Sequence, residues 1–305
     1  MSNATTSQLV VARLEERDGD LLVRMPDSNQ GWQMRHYFAG ISDPDTIADM
    51  LGQINRPISL ERHPRPDGGL WGMGTSGPDV MVAGDFDVNI SAGDGRDVVI
   101  TGAGDDYLGG DDGDDWLYGH GGNDEIKGGN GDDRMFGGTG MDLLDGGAGN
   151  DQLLAGAGDD RLSGGAGNDW LKGGRGNDIY LFGKGDGHDL IFNNDMLGDD
   201  RVQFGAGINP DQVWLRRVGN ALEARLLETG DTLSLNWWFA ADAHRVDRFQ
   251  LSADGFHPNG VYLDKDKVDA LVQAMSAFEP PPVGTTTLPP SYQAVLNPVL
   301  ASSWT

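Results

Sequence analysis

The sequence predicts an all-β protein centred on a coil of short parallel strands, and three observations carry that prediction. Of its 305 residues, 48 are glycine and none is cysteine. The 22 basic and 48 acidic side chains give a formal net charge of −26. Both excesses fall in residues 74–208, which hold 36 of the glycines and 27 acidic against 8 basic residues, a balance of 8 − 27 = −19. The third observation is that this block repeats every nine residues.

Segments 101–109 (TGAGDDYLG), 128–136 (GGNGDDRMF), 146–154 (GGAGNDQLL) and 164–172 (GGAGNDWLK) align in that register. Aspartate fills the sixth place at Asp79, Asp97, Asp106, Asp115, Asp124, Asp133, Asp142, Asp151, Asp160, Asp169 and Asp178, and only Val88 breaks the series. The eighth place is always apolar: Met81, Ile90, Val99, Leu108, Leu117, Ile126, Met135, Leu144, Leu153, Leu162, Leu171 and Tyr180. A disordered Gly/Asp tract would not hold an apolar side chain at fixed phase.

Each nonamer divides into a glycine-rich half, suited to turns at positive φ, and a three-residue extended half whose middle residue points inward. Two nonamers make one coil, so the twelve make about six coils, stacked at about 4.8 Å per strand. Coiling brings each sixth-place carboxylate close to the one eighteen residues on. At roughly 5 Å such a pair repels by about 3 kcal/mol at an effective dielectric near 20. Eight or nine pairs together would exceed a domain's whole stability of roughly 5–15 kcal/mol. A hard divalent cation between the carboxylates reverses that sign, with turn carbonyls completing its oxygen shell, and calcium suits such a flexible site better than magnesium.

The pattern over residues 74–189 resembles the RTX (repeats-in-toxin), or haemolysin-type, calcium-binding repeat family, whose nonapeptide is GGxGxDxUx. The resemblance implies a right-handed parallel β-roll of nonapeptide repeats. It implies about eight or nine Ca2+ ions, each held by the sixth-place aspartates of turns n and n+2, such as Asp97/Asp115, Asp115/Asp133 and Asp142/Asp160. Turn carbonyls are the remaining ligands it implies. These are Gly102, Gly104, Gly113, Gly119 and Gly122, then Gly128, Gly129, Gly131, Gly137, Gly138 and Gly140. Further on they are Gly146, Gly147, Gly149, Gly156, Gly158, Gly164, Gly165, Gly167, Gly173, Gly174 and Gly176. Val88 puts the site joining turns two and four in doubt. Residues 184–191 (KGDGHDLI) slip the register by about one residue and resemble a terminating turn, where Asp186 or Asp189 closes the last site.

The flanks read as small β modules capping the two open ends of the stack. Residues 1–73 form the first, with Arg17, Asp18, Gly19 and Asp20 as a hairpin and Trp32 on an aromatic strand. The roll takes residues 74–192, and residues 193–264 form the second cap, with Trp237, Trp238, Phe239 and Phe249. In residues 265–305, Val268, Leu271, Val272, Met275 and Phe278 lie at helical spacing, and Pro280, Pro281 and Pro282 stop that helix. The apolar, Thr/Pro-rich stretch 283–305 reads as a tail. Following such repeats, it resembles the uncleaved C-terminal signal of type I secretion.

Composition also excludes function classes. A chain this acidic is repelled by nucleic acid and by anionic membranes, and it contains no apolar run long enough to span a bilayer. Six scattered histidines form no H-E-x-x-H motif, and there is no G-x-S-x-G elbow. We therefore expect no enzyme and no catalytic residues. The leading expectation is a calcium-binding module of a toxin or exoprotein of a Gram-negative bacterium. It would be exported by an ABC exporter to the medium or the cell surface. The alternative is a calcium-dependent adhesin or lectin-like module, with a cell-surface or glycan target stacking on outward Trp116 and Trp170.

Overall fold

The structure is a computed structural model that describes residues 70–85, 87–194, 198–251 and 261–304, together with the backbone of three earlier strands. Those three, β1 (Arg13–Arg17), β2 (Asp20–Arg24) and β3 (Gly31–Met34), form an antiparallel sheet in which Arg17 faces Asp20. Of the rest of the segment expected to form the first cap, residues 70–73 pair with Val88–Ser91 in the coil, and the remainder lies outside the described residues.

The repeats wind through fourteen strands: β4 (Leu70–Met73), β5 (Val80–Val82), β6 (Val88–Ser91), β7 (Val98–Ile100), β8 (Tyr107–Asp112), β9 (Trp116–Gly121), β10 (Glu125–Asn130), β11 (Arg134–Thr139), β12 (Leu143–Gly149), β13 (Gln152–Ala157), β14 (Arg161–Gly167), β15 (Trp170–Arg175), β16 (Ile179–Phe182) and β17 (His188–Ile191). Even-numbered strands join one sheet and odd-numbered strands a second, every pair parallel. The shift is eighteen residues, as with Ile126 opposite Leu144 and Met135 opposite Leu153. All-β parallel coiling is thus the architecture the period predicts.

The strands are longer than the three residues expected. In β10 to β15 they extend through the first glycines of the next turn, because backbone N–H and C=O groups go on pairing between coils. Burial alternates along them, so the eighth place and the following first place both face inward. Every eighth-place side chain is buried in one continuous core. Trp116 alternates with the core residue Leu117, on the outward face as expected, but it is covered there. It is only 7% exposed, flanked in its ladder by Val98 and Arg134, with the Arg134 guanidinium 4.7 Å from its ring centre. Trp170 is half-buried, 5.1 Å from the Phe192 ring.

Residues 184–191 do not terminate the coil. Trp170 pairs with Leu190, a shift of twenty, and Ile179 pairs with Arg201, a shift of twenty-two. The slip is therefore two residues per nonamer rather than one, so the coil shift grows from eighteen to twenty and then twenty-two. Strands β18 (Arg201–Phe204), β19 (Val213–Val218), β20 (Ala221–Leu226), β21 (Thr232–Leu235), β22 (Arg248–Leu251) and β23 (Val261–Asp264) then extend both sheets to ten strands. β18, β21 and β22 continue the parallel stack, whereas β19, β20 and β23 reverse to antiparallel at its end. Large aromatics thicken the core here: Phe204 lies 6.4 Å from Phe182 and 6.1 Å from Phe249, ring centre to ring centre.

Helix α1 (Lys265–Met275) buries Val268, Leu271 and Met275 as the helical spacing requires. A second helix, α2 (Pro290–Ser303), replaces the expected tail. It buries Leu296 and Leu300, and Trp304 after it bridges to Leu263. Pro290 sits in its first turn, where a missing N–H costs nothing.

Candidate metal centre

Because the coil repeats every eighteen residues, the sixth-place aspartates stack in two columns, one along each sheet. Each carboxylate reaches back to the coil before it. The backbone N–H of Asp97 donates to Asp115 Oδ1 at 2.7 Å, that of Asp115 to Asp133 at 2.8 Å and that of Asp133 to Asp151 at 2.8 Å. The column starts with Asp79 donating to Asp97 and closes with Asp151 to Asp169 and Asp169 to Asp189. In the other column Asp106 donates to Asp124, Asp124 to Asp142, Asp142 to Asp160, and Asp160 to Asp178. Asp189 therefore takes the closing position, while Asp186 accepts the N–H of Gly183 within its own turn.

Val88 still donates its N–H to Asp106 Oδ1 at 2.9 Å but supplies no carboxylate, so that column begins at Asp106. It also runs further than the repeat. Asp178 donates to Asp200 Oδ1 at 2.9 Å and Asp200 to Asp247 Oδ2 at 3.1 Å. Asn193 Nδ2 and Lys265 Nζ close it, donating to Asp200 Oδ2 and Asp247 Oδ1 at 2.8 and 2.7 Å. Asp200 and Asp247 escape the sequence reading because the connections to them are twenty-two and forty-seven residues long.

The second oxygen of each carboxylate is treated differently. Oδ2 of Asp97, Asp106, Asp115, Asp124, Asp133, Asp142, Asp151, Asp160, Asp169 and Asp189 is buried and takes no hydrogen bond. Burying such an atom costs about 1–3 kcal/mol, and more when it is charged. Asp79, at the array's start, differs, because its Oδ2 accepts the N–H of Thr75.

Beside five of these Oδ2 atoms lies a cradle that a methyl group would fill. A Cβ on Gly128 would meet Asp133 Oδ2 and the carbonyl of Gly146, and one on Gly146 would meet Asp151 Oδ2 and the carbonyl of Gly164. Gly110, Gly119 and Gly137 show the same relation to Asp115 with Gly128 O, Asp124 with Gly137 O, and Asp142 with Ala155 O. Carboxylate and carbonyl oxygens thus converge from adjacent coils on places without a side chain. That donor set fits a hard, oxygen-seeking cation such as calcium. Among the described residues no three His, Asp or Glu side chains cluster as a metal centre, so the columns offer carboxylates with main-chain oxygens.

Of the predicted carbonyls, those of Gly128, Gly137, Gly146 and Gly164 stand at the cradles. The carbonyl beside Asp142 belongs to Ala155, which a search for glycines misses. A carbonyl depends on its place in the repeat and not on its side chain. The second- and fourth-place glycines serve the turn itself: Gly129 and Gly131 have φ of 117° and 131°. Asp111 and His120 adopt φ of 74° and 69° at second places without that freedom. Gly102 O accepts the N–H of Gly121 in the ladder.

Burial raises the carboxyl pKa along both columns, partly opposed by the backbone N–H donors. It is pushed to about 7 at Asp97, Asp115, Asp124, Asp133, Asp151 and Asp160, and to about 6 at Asp142. A second ladder, unforeseen from the sequence, lines the exposed edge at the fifth place. Asn123, Asn150 and Asn177 N–H groups donate to Asp105, Asp132 and Asp159 Oδ1 at 2.7, 2.7 and 2.9 Å. Here the later coil donates to the earlier one, the reverse of the buried columns.

Segments 73–108, 109–144, 127–162, 136–169 and 154–191 match the family model described as the RTX calcium-binding nonapeptide repeat (4 copies). Among solved structures, the crystal structure of extracellular lipase LipA from Serratia marcescens is similar over 60% of this chain at 18% identity, with a TM-score of 0.28. The match spans 39% of the lipase chain. Two aspartate columns in ninefold phase, cradled by first-place glycines, coincide with the matched segments: residues 73–191 are RTX calcium-binding nonapeptide repeats.

Proposed function

We propose that this chain is a calcium-triggered folding module of a secreted toxin or exoprotein. It crosses a type I ABC exporter unfolded and folds in the calcium outside a Gram-negative cell. The carrying observation is the row of buried Oδ2 atoms without a hydrogen bond, those of Asp115, Asp124, Asp133, Asp142 and Asp151 each beside a carbonyl of the next coil. Calcium would be held by the carboxylates of adjacent coils with the first-place carbonyls, and it supplies the positive charge that makes their burial favourable. Modules of this kind outside cells bind at roughly 10⁻⁴–10⁻³ M. Ten-fold excess over Kd contributes about 1.4 kcal/mol per ion, so eight or nine linked ions are enough to switch the fold. On this reading the described residues act by binding and not by catalysis. The histidines fit that view, since His188 and His244 are engaged with Thr232 and the Asn193 carbonyl.

Far-UV circular dichroism of chelated protein titrated with calcium should show a steep gain of β signal in the millimolar range. A flat response defeats the reading. Co-expression with an ABC exporter, followed by assay of the medium, tests the export step.

One observation favours the adhesin alternative. Trp237 is 47% exposed and continues an aromatic run from Trp170 through Phe192, with Phe192 and Trp237 5.6 Å apart. Calcium-dependent signal on a glycan array, lost in Trp237→Ala, would select it. Buried Trp116 takes no part.

A further inference from the structure

We propose that Thr101 plugs one cation position of the array with its own side chain, so that the Gly119 carbonyl meets a hydroxyl where its equivalents meet calcium. The inference rests on the calcium reading above.

Thr101 occupies the first place of its nonamer, the place of Gly110, Gly119, Gly128, Gly137, Gly146, Gly164 and Gly173 in theirs. At Gly110 an added Cβ would run into Asp115 Oδ2 and Gly128 O, and at Gly128 into Asp133 Oδ2 and Gly146 O. Carried back by one turn, the same relation names Asp106 and Gly119 O. Thr101 carries a real Cβ into that space and is 3% exposed there. Its Oγ1 donates to Gly119 O at 3.0 Å, with Tyr118 O at 3.2 Å. Asp106 Oδ2 is itself buried without a hydrogen bond.

A hydroxyl offers one proton and two lone pairs. It therefore engages the carbonyl that would otherwise face an ion, in the space a first-place glycine leaves open. Ala92 and Ala155, also at first places, bring a methyl but no donor, and Oδ2 of Asp97, Asp106 and Asp160 alike keeps no hydrogen bond, so what sets Thr101 apart is its hydroxyl on the Gly119 carbonyl. Only Thr101 among the first-place residues described supplies both bulk and a proton. It stands at Asp106, where the column begins because Val88 provides no carboxylate.

Native mass spectrometry of the full chain in calcium reads the number of ions bound. Thr101→Gly should bind one ion more than the unaltered chain, and Thr101→Ser the same number. Gly146→Thr, which imports the plug beside Asp151, should bind one fewer. An unchanged count in Thr101→Gly overturns the proposal. So does the loss of an ion, which would make the hydroxyl a ligand. If Thr101→Gly shows no β signal in calcium, Gly146→Thr decides, and an unchanged count there overturns the proposal. An unaltered chain that binds no calcium at all defeats the underlying calcium reading instead.

Discussion

Each sixth-place aspartate divides its two oxygens between neighbours on opposite sides. Asp133 Oδ1 accepts from the Asp115 N–H one coil back, while Oδ2 lies by Gly146 O one coil ahead. The first contact favours the ionised form, but burial outweighs it, and the carboxyl is pushed up to about 7. Without calcium the folded chain keeps protons that the unfolded chain has released above about pH 4. Folding then takes up protons, so the calcium-free fold is least penalised at low pH and loses stability as pH rises from about 4 through 7. Circular dichroism of chelated protein should show more β signal at pH 5 than at pH 7.5. The calcium midpoint should move the other way, to lower concentration as pH rises from 6 to 8, because binding expels those protons. A metal-free fold that strengthens with rising pH would contradict both columns. At this scale the aspartates were legible because a period marks them. Ala155 O was not, since a main-chain oxygen has no letter of its own. Nor was the plug at Thr101, where the residue matters only through its distance to Gly119 O.

A single β-strand of the coil has one inward apolar side chain and small inward neighbours, so each such side chain carries the packing of a whole turn. Leu144 is fully buried, while the adjacent Leu143 on the same strand is 36% exposed. Leu144→Ala should cost about 2–5 kcal/mol, and Leu143→Ala about 0.5 kcal/mol or less. Denaturant unfolding in saturating calcium measures both, and comparable losses would refute the in-out assignment. Strand positions and facing were readable from the eighth place, but strand length was not. The glycines that look like pure turn also carry ladder hydrogen bonds, as between Gly131 N and Ala148 O at 2.8 Å. Helix α1 announced itself through its apolar spacing. Helix α2 stayed hidden because Pro298 lies within it and its sequence lacks charged residues to mark a polar face.

Across the molecule, both sheets run without a break from the repeats into residues 201–264. β16 and β17 would become open edges if that part were absent, because β18 and β21 pair with them. A chain ending at residue 192 should therefore need more calcium to fold and should self-associate once folded, as unpaired strand edges invite. Light scattering in calcium checks this, and a monomer with an unshifted calcium midpoint would show that the distal strands are dispensable. The aromatic words of the second flank were visible in the sequence. Their continuation of the coil was not, because the connections of twenty-two and forty-seven residues conceal the phase that Asp200 and Asp247 restore in space.

The two hydrogen-bond ladders run in opposite senses, buried carboxylates receiving from the preceding coil and exposed fifth-place side chains from the following one. Every coil is therefore fastened to its neighbour by two clasps that close from different sides. In such a nearest-neighbour lattice the energetic penalty resides at the boundary between ordered and disordered coils and not within the ordered run. The number of turns then sets how sharply the array responds, while each cradle sets the concentration at which it does. Length and affinity become separate dials, the first turned by adding nonamers and the second by changing a single first-place residue.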